Sequence, residues 1–165
     1  MNLGDVVIDR AGLEDVDGIL KLAKENGPDH GGELSVRLER KHLQIPDQGL
    51  PNIVARRGGK VIGFLLTLEQ DQPLPPIVQA MLAVYPGSPD AYMYGPICVD
   101  QAERGRGIAV AMFEELRRLQ PGREGVLFIK ASNEPSLRAH RKMGMREVAQ
   151  YVFNGVPLVV FAYDG

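Results

Sequence analysis

Cysteine occurs once in the 165 residues, at Cys98. A lone thiol excludes an internal disulfide and a thiolate metal cluster, and it suits a reducing compartment. His30 and His42 stand apart from other ligand-type residues, so no metal centre is expected. The chain has no Gly-Lys-Ser/Thr, which argues against a Walker loop and triphosphate hydrolysis. It has no apolar run of the roughly 18 residues that a membrane span needs. Residues Met1-Asn2-Leu3-Gly4-Asp5 lack a basic region followed by an apolar one, so the expectation is a cytoplasmic protein with no membrane partner. Repeats and low-complexity tracts are absent as well.

The composition is that of an ordinary globular chain, 44% hydrophobic and 24% charged, and its length suits one domain over 1–165. The net charge of −2 gives no general electrostatic case for nucleic acid. The charge is nevertheless uneven. Residues 1–97 carry nine Lys or Arg against thirteen Asp or Glu, whereas residues 98–146 carry ten against six. A phosphate-bearing ligand would favour the second segment.

That segment contains Arg104-Gly105-Arg106-Gly107-Ile108-Ala109. Tyr92 to Val99 reads as a strand before it, and Ile108, Ala111, Met112, Leu116 and Leu119 recur at helical spacing after it. In a strand-turn-helix setting, the first helical N–H groups lack internal partners and carry the positive end of the dipole. An anion fits there. The glycines permit close backbone approach, and Arg104 and Arg106 add charge-assisted donors. A solvated basic turn is the plain alternative.

A second constellation follows at Asn133-Glu134-Pro135-Ser136-Leu137-Arg138-Ala139-His140. Ser132 or Asn133 can cap this helix, Pro135 suits its first turn and Gly144 its end. Spacings of three and four residues place Asn133, Ser136 and His140 on one face.

Together the two segments resemble the GNAT superfamily of acetyltransferases, which move an acetyl group from acetyl-CoA to an amine. Arg104, Gly107 and Ala109 satisfy the family's cofactor signature. Asn133, Ser136 and Gly144 fit its later pattern, with His140 where Tyr is usual and Met145 in place of an aromatic residue. The Ser136-Leu137-Arg138-Ala139-His140 run looks like the branch that includes phosphinothricin acetyltransferases.

The resemblance implies an α/β (α+β) fold: a mixed, mostly antiparallel central sheet with helices on both faces and a splayed central strand pair. It implies acetyl-CoA as cosubstrate, with the pantetheine arm on the backbone of Ile97, Cys98 and Val99. The phosphates would lie on Arg104, Gly105, Arg106, Gly107, Ile108 and Ala109, and Asn133 and Ser136 would line the same cofactor. Cys98 itself reads as a small buried hydrophobe rather than an acetyl carrier.

The remaining elements follow from local patterns. Val6 to Arg10 reads as a strand, Asp15 to Glu25 and Leu34 to Gln44 as helices, and Pro51 to Leu68 as a hairpin across Gly58-Gly59. Residues 70–90 hold five prolines and a short apolar helix over Ile77 to Val84, read as packing rather than as a substrate lid. Gly95-Pro96 interrupts Tyr92 to Val99 and predicts a bulge. Glu124 to Lys130 forms the next strand, and Arg146 to Phe153 and Val156 to Tyr163 close the chain as a hairpin around Asn154-Gly155.

The implied chemistry is direct attack of an amine on the thioester in a ternary complex. Glu69, at a strand end, is the carboxylate candidate for taking the amine's proton, although a solvated strand end explains it better. Tyr92 and Tyr94 are candidates for shaping the acceptor pocket. His140 is placed to protonate the departing thiolate, and an unperturbed imidazole would be about one quarter protonated at pH 7. The acceptor is a small-molecule amine or a protein amino group. A CoA-binding module without activity, and a homodimeric scaffold using residues 70–90, remain open alternatives.

Overall fold

The structure is a computed structural model that describes residues 3–26, 38–46 and 48–165. The chain divides into two compact units, Met1–Thr67 with Gly95–Gln120 and Leu68–Tyr94 with Pro121–Gly165. Seven strands, β1 Val6–Arg10, β2 Ile53–Arg57, β3 Lys60–Leu68, β4 Tyr92–Val99, β5 Gly125–Lys130, β6 Arg146–Phe153 and β7 Val156–Tyr163, form the sheet. Its hydrogen-bonded order is β1-β2-β3-β4-β5-β7-β6, mostly antiparallel. The helices are α1 Val16–Glu25, α2 Pro76–Val84, α3 Ile108–Leu119 and α4 Glu134–Lys142.

In the first unit, a one-residue step in β3 sets which side chains share a face. The register runs Val54↔Phe64 and Ala55↔Gly63 but then Arg56↔Val61, leaving Ile62 as an extra residue on β3. Alternation along a strand has period two, so the step brings Val61 onto the same face as Phe64 and Leu66. Ile19, Leu22 and Ala23 of α1 pack there together with Val54 and Cys98. A Cβ on Gly18 would meet Val61 at 2.8 Å, so glycine allows α1 to lie close against the strand. Gly63 points to the opposite face, where Met112 and Ile108 of α3 cover it. Helices thus cover both faces of β2 and β3.

Asp15 joins α1 to this sheet. Its side chain accepts from the Gly12 N–H at 2.8 Å and from Arg56 Nε and Nη2 at 2.7 Å each. Burial alone would raise the Asp15 pKa, but the Arg56 and Gly12 bonds outweigh it and hold the carboxyl below its ordinary value.

The expected helix over Leu34 to Gln44 takes a different form. Residues 34–37 lie outside the described residues, and within 38–44 the chain makes only a 3-10 turn, Arg40–His42. Leu38, Leu43 and Ile45 pack against the α1 core from irregular backbone, and Pro46 follows. Apolar burial there is met without helical periodicity.

In the second unit, β4 starts in parallel with β5 through Tyr92↔Gly125 and Met93↔Val126, and β5 continues antiparallel to β7. Val78 and Met81 of α2 are buried with Met93, Val126 and Val160. Both ends of α2 are tied down. The Tyr151 hydroxyl donates to the Ile77 carbonyl at 3.0 Å, and beyond the helix the Tyr85 hydroxyl donates to Glu124 Oε2 at 2.6 Å. Glu124 also accepts from the Ser88 N–H at 2.6 Å. Burial pushes the Glu124 carboxyl up, but Tyr85, Ser88 and the nearby Arg146 together bring it below its ordinary value. Ile77, Tyr85 and Ser88 are thus anchored within this unit.

Candidate functional site

In the first unit, β4 runs through Ile97, Cys98 and Val99 into a tight connection. Asp100 caps a 3-10 turn, Gln101–Glu103, by accepting from the Ala102 N–H. Gly105 and Gly107 then take positive φ angles of 78° and 83°, a region that L side chains rarely enter. Gly107 is the N-cap of α3, and the first helical bond runs from the Ala111 N–H to the Gly107 carbonyl at 3.0 Å. The N–H groups of Ile108, Ala109 and Val110 therefore precede the helical ladder at the positive end of the dipole. This is the backbone that an anion-binding turn requires.

The two arginines of the turn are placed differently. Arg104 folds back onto the chain, with Nε donating to the Val99 carbonyl at 3.2 Å and Nη2 to Asn26 Oδ1 at 2.9 Å. Arg106 stays more open, its side chain 58% exposed and 3.5 Å from Glu103. Cys98 is buried in the α1 core, and burial pushes its thiol up to about 12, so it stays a thiol at neutral pH.

In the second unit, Asn133 caps α4 by accepting from the Ser136 N–H at 3.3 Å. Asn133, Ser136 and His140 share a face, as the spacing expects. His140 is almost fully buried, at 3% exposure. Its Nδ1 lies 2.7 Å from the Ser136 carbonyl and 3.3 Å from the Ser136 hydroxyl. A carbonyl only accepts, so the Nδ1 position carries the proton. Nε2 then has the lone pair, and it accepts from the Tyr94 hydroxyl at 3.1 Å. The two rings meet edge to face. Burial lowers the pKa of His140, against a smaller opposing effect of the Ser136 carbonyl. The neutral imidazole is therefore favoured at pH 7 more than in an unperturbed side chain, because water cannot solvate its cation.

Tyr94 borders Tyr163, whose hydroxyl bonds that of Tyr92. Tyr92 also lies under the Arg123 guanidinium, 5.1 Å from ring centroid to Cζ. Arg123 grips Glu69, with Nη2–Oε1 at 2.7 Å and Nη1–Oε2 at 3.4 Å, and donates to the Asp90 carbonyl. Glu69 is thus an ion-paired strand end, a partnership that no spacing rule indicates. The same holds for Tyr94 with His140, which are 46 residues apart. Among the described residues no group of three or more His, Cys, Asp or Glu is arranged to hold a metal ion, and no helix is long and apolar enough to cross a membrane.

A glycine-capped helix after a strand is shared by many phosphate sites and does not by itself single out a family. The model of the Acetyltransferase (GNAT) family matches residues 16–145. The chain belongs to the GNAT acetyltransferase family. Solved structures agree on the fold. A GNAT-family acetyltransferase from Streptococcus agalactiae superposes with a TM-score of 0.72 at 16% identity, over 97% of this chain and 95% of that one. NAA60 of Arabidopsis thaliana in complex with acetyl-CoA gives 0.68 at 20% identity, over 96% and 98%. The ribosomal-protein-S18-alanine N-acetyltransferase of Escherichia coli gives 0.66 at 16%, over 96% and 93%. No curated protein sequence matches this GNAT chain.

Proposed function

We propose that this GNAT protein is one acetyltransferase domain that moves an acetyl group from acetyl-CoA to a primary amine by direct attack in a ternary complex. The observation that carries the reading is the turn in which Gly107, at φ 83°, caps α3 directly after β4. The acetyl-CoA held by NAA60 of Arabidopsis thaliana supports the same cosubstrate here. The family match covers residues of both units, which supports a single domain.

In this reading the N–H groups of Gly105 to Ala109 and the Arg106 side chain take the phosphates, while Arg104 fixes the turn. The backbone of Ile97, Cys98 and Val99 pairs with the pantetheine arm, and the family pattern assigns Asn133 and Ser136 to the same cosubstrate. Tyr92 and Tyr94 shape the acceptor side. The Ser136-to-His140 run supports kinship with the phosphinothricin acetyltransferase branch, and it carries no particular acceptor with it. The acceptor class is a small-molecule amine or a protein amino group, and the compartment the cytoplasm.

Proton transfer runs through His140 and Tyr94. As the amine attacks, its excess proton passes to the Tyr94 oxygen while Tyr94's own proton passes to His140 Nε2. The resulting imidazolium is held by the Ser136 carbonyl at Nδ1. When the C–S bond breaks, the proton returns by the same path to the thiolate, giving the free thiol and the amide. Glu69 is the other candidate base. Both its oxygens lie within reach of Arg123, which favours the histidine pair.

Thermal unfolding with acetyl-CoA, followed by an amine panel monitored for free thiol, tests the proposal. Cosubstrate at about 100 times its Kd should stabilise the fold by about 2.7 kcal/mol. No shift with acetyl-CoA would sink the reading. A shift without thiol release from any amine would leave the inactive CoA-binding module.

A further inference from the structure

Glu103 stands immediately before Arg104-Gly105-Arg106-Gly107, and its carboxylate is held from a distant part of the chain. Arg57, the last residue of β2, donates from Nε to Oε2 and from Nη2 to Oε1, both at 3.0 Å. Arg57 also pairs with Asp5, and Glu103 with Arg106 at 3.5 Å. The Glu103 side chain is 14% exposed and that of Arg57 29%, so this is not a loose surface pair. The mutual hydrogen bonding draws the Glu103 pKa below, and the Arg57 pKa above, its ordinary value.

A forked guanidinium-carboxylate contact fixes orientation as well as distance, because both planar groups must align. Orientation matters at this place. Two glycines follow within four residues, and each has a wide range of backbone angles open to it. The chain must enter them from a fixed direction if the N–H groups at the start of α3 are to converge on one anion. Asp100 and Arg104 fix that entry through local bonds, whereas Arg57 fixes it to the sheet.

We infer that Arg57 is a positioning residue for the phosphate-binding turn, acting through Glu103 on the affinity for acetyl-CoA without taking part in the chemistry. The inference rests on the acetyl-CoA reading above. Arg57→Met keeps the aliphatic stem and removes the fork, and Glu103→Gln removes the charge from the other end. Titration calorimetry should show a Kd for acetyl-CoA raised about tenfold in each. The KM for acetyl-CoA should rise in step, with kcat at saturation within about twofold of the parent, since binding is lost equally in the ground and transition states.

The double variant should bind no more weakly than the worse single one, because the two side chains act as a unit. Arg57→Lys should fall between, as an ammonium supplies charge without the fork. If Arg57→Met does not fold, Glu103→Gln and Arg57→Lys give the same reading. Folded variants that lose thermal stability yet bind acetyl-CoA like the parent would overturn the inference and leave the proposed activity intact. A parent protein that binds no acetyl-CoA removes both.

Discussion

The hydroxyl of Tyr94 donates to Nε2 of His140 across 3.1 Å, and the opposite nitrogen of that ring faces the Ser136 carbonyl at 2.7 Å. Both ring nitrogens are thereby hydrogen-bonded, and in the proposed mechanism the imidazole would act through the phenol.

Tyr94→Phe should lower kcat about 100-fold while the KM for acetyl-CoA changes less than threefold. His140→Ala should give a similar loss, and the double variant should be little worse than either single one. Burial keeps His140 below its ordinary pKa of about 6.5, so the ratio of parent to His140→Ala turnover should stay level from pH 7 to 8, whatever the acceptor amine's own titration, and shrink on acidification. Steady-state kinetics over pH 5–9 measure all of these. Undiminished turnover in Tyr94→Phe would remove the pair from the chemistry.

Gly107→Ala should destabilise the protein by about 1–2 kcal/mol, the cost of a Cβ in the left-handed region. Any relaxation of the strain rotates the N–H groups at the start of α3. The Kd for acetyl-CoA should therefore rise about 5- to 30-fold, equivalent to a similar free energy. Chemical denaturation and calorimetry read the two effects separately. Stability lost with affinity kept would detach this turn from the cosubstrate.

Asp15 should act on stability alone. Its pKa is lowered in the fold, so its contribution is complete above the unfolded value near 3.9 and disappears as pH drops through the folded value. Urea melts from pH 6 to pH 2 should show a steeper acid loss in the parent than in Asp15→Asn. At neutral pH the variant should be roughly 1–2 kcal/mol less stable, because the partly buried Arg56 loses the Asp15 fork but keeps Asp9. Parallel pH profiles for the two proteins would contradict this assignment.

Local chemistry made much of the fold legible. Val6–Arg10, Lys60–Leu68, Tyr92–Val99 and the closing hairpin have the bounds that alternation and turn residues indicate. Asn133 caps α4 and Gly107 caps α3, as their residue types suggest. What stayed hidden is contact between distant positions. Nothing in the spacing of Arg57 and Glu103, Glu69 and Arg123, or Tyr85 and Glu124 marks them as partners, because such pairs are set by strand order. The helix expected over residues 34–44 shows the other limit. Leu38, Leu43 and Ile45 satisfy the core from irregular backbone, which apolar periodicity cannot distinguish from a helix.

The extra residue Ile62 has a consequence for how the β2–β3 hairpin can vary. Excising it would leave Val61 opposite Arg56 and still facing Gly18, because a regular strand alternates Phe64, Gly63 and Val61 across the sheet; only the local bend and the buried Ile62 side chain would be lost. A one-residue change between Gly63 and Leu68 would instead exchange the two faces of the strand on one side of it, whereas the exposed Gly58-Gly59 tip makes no such demand. Position 62 and the tip are thus the places where this hairpin can change length without reversing the faces of β3.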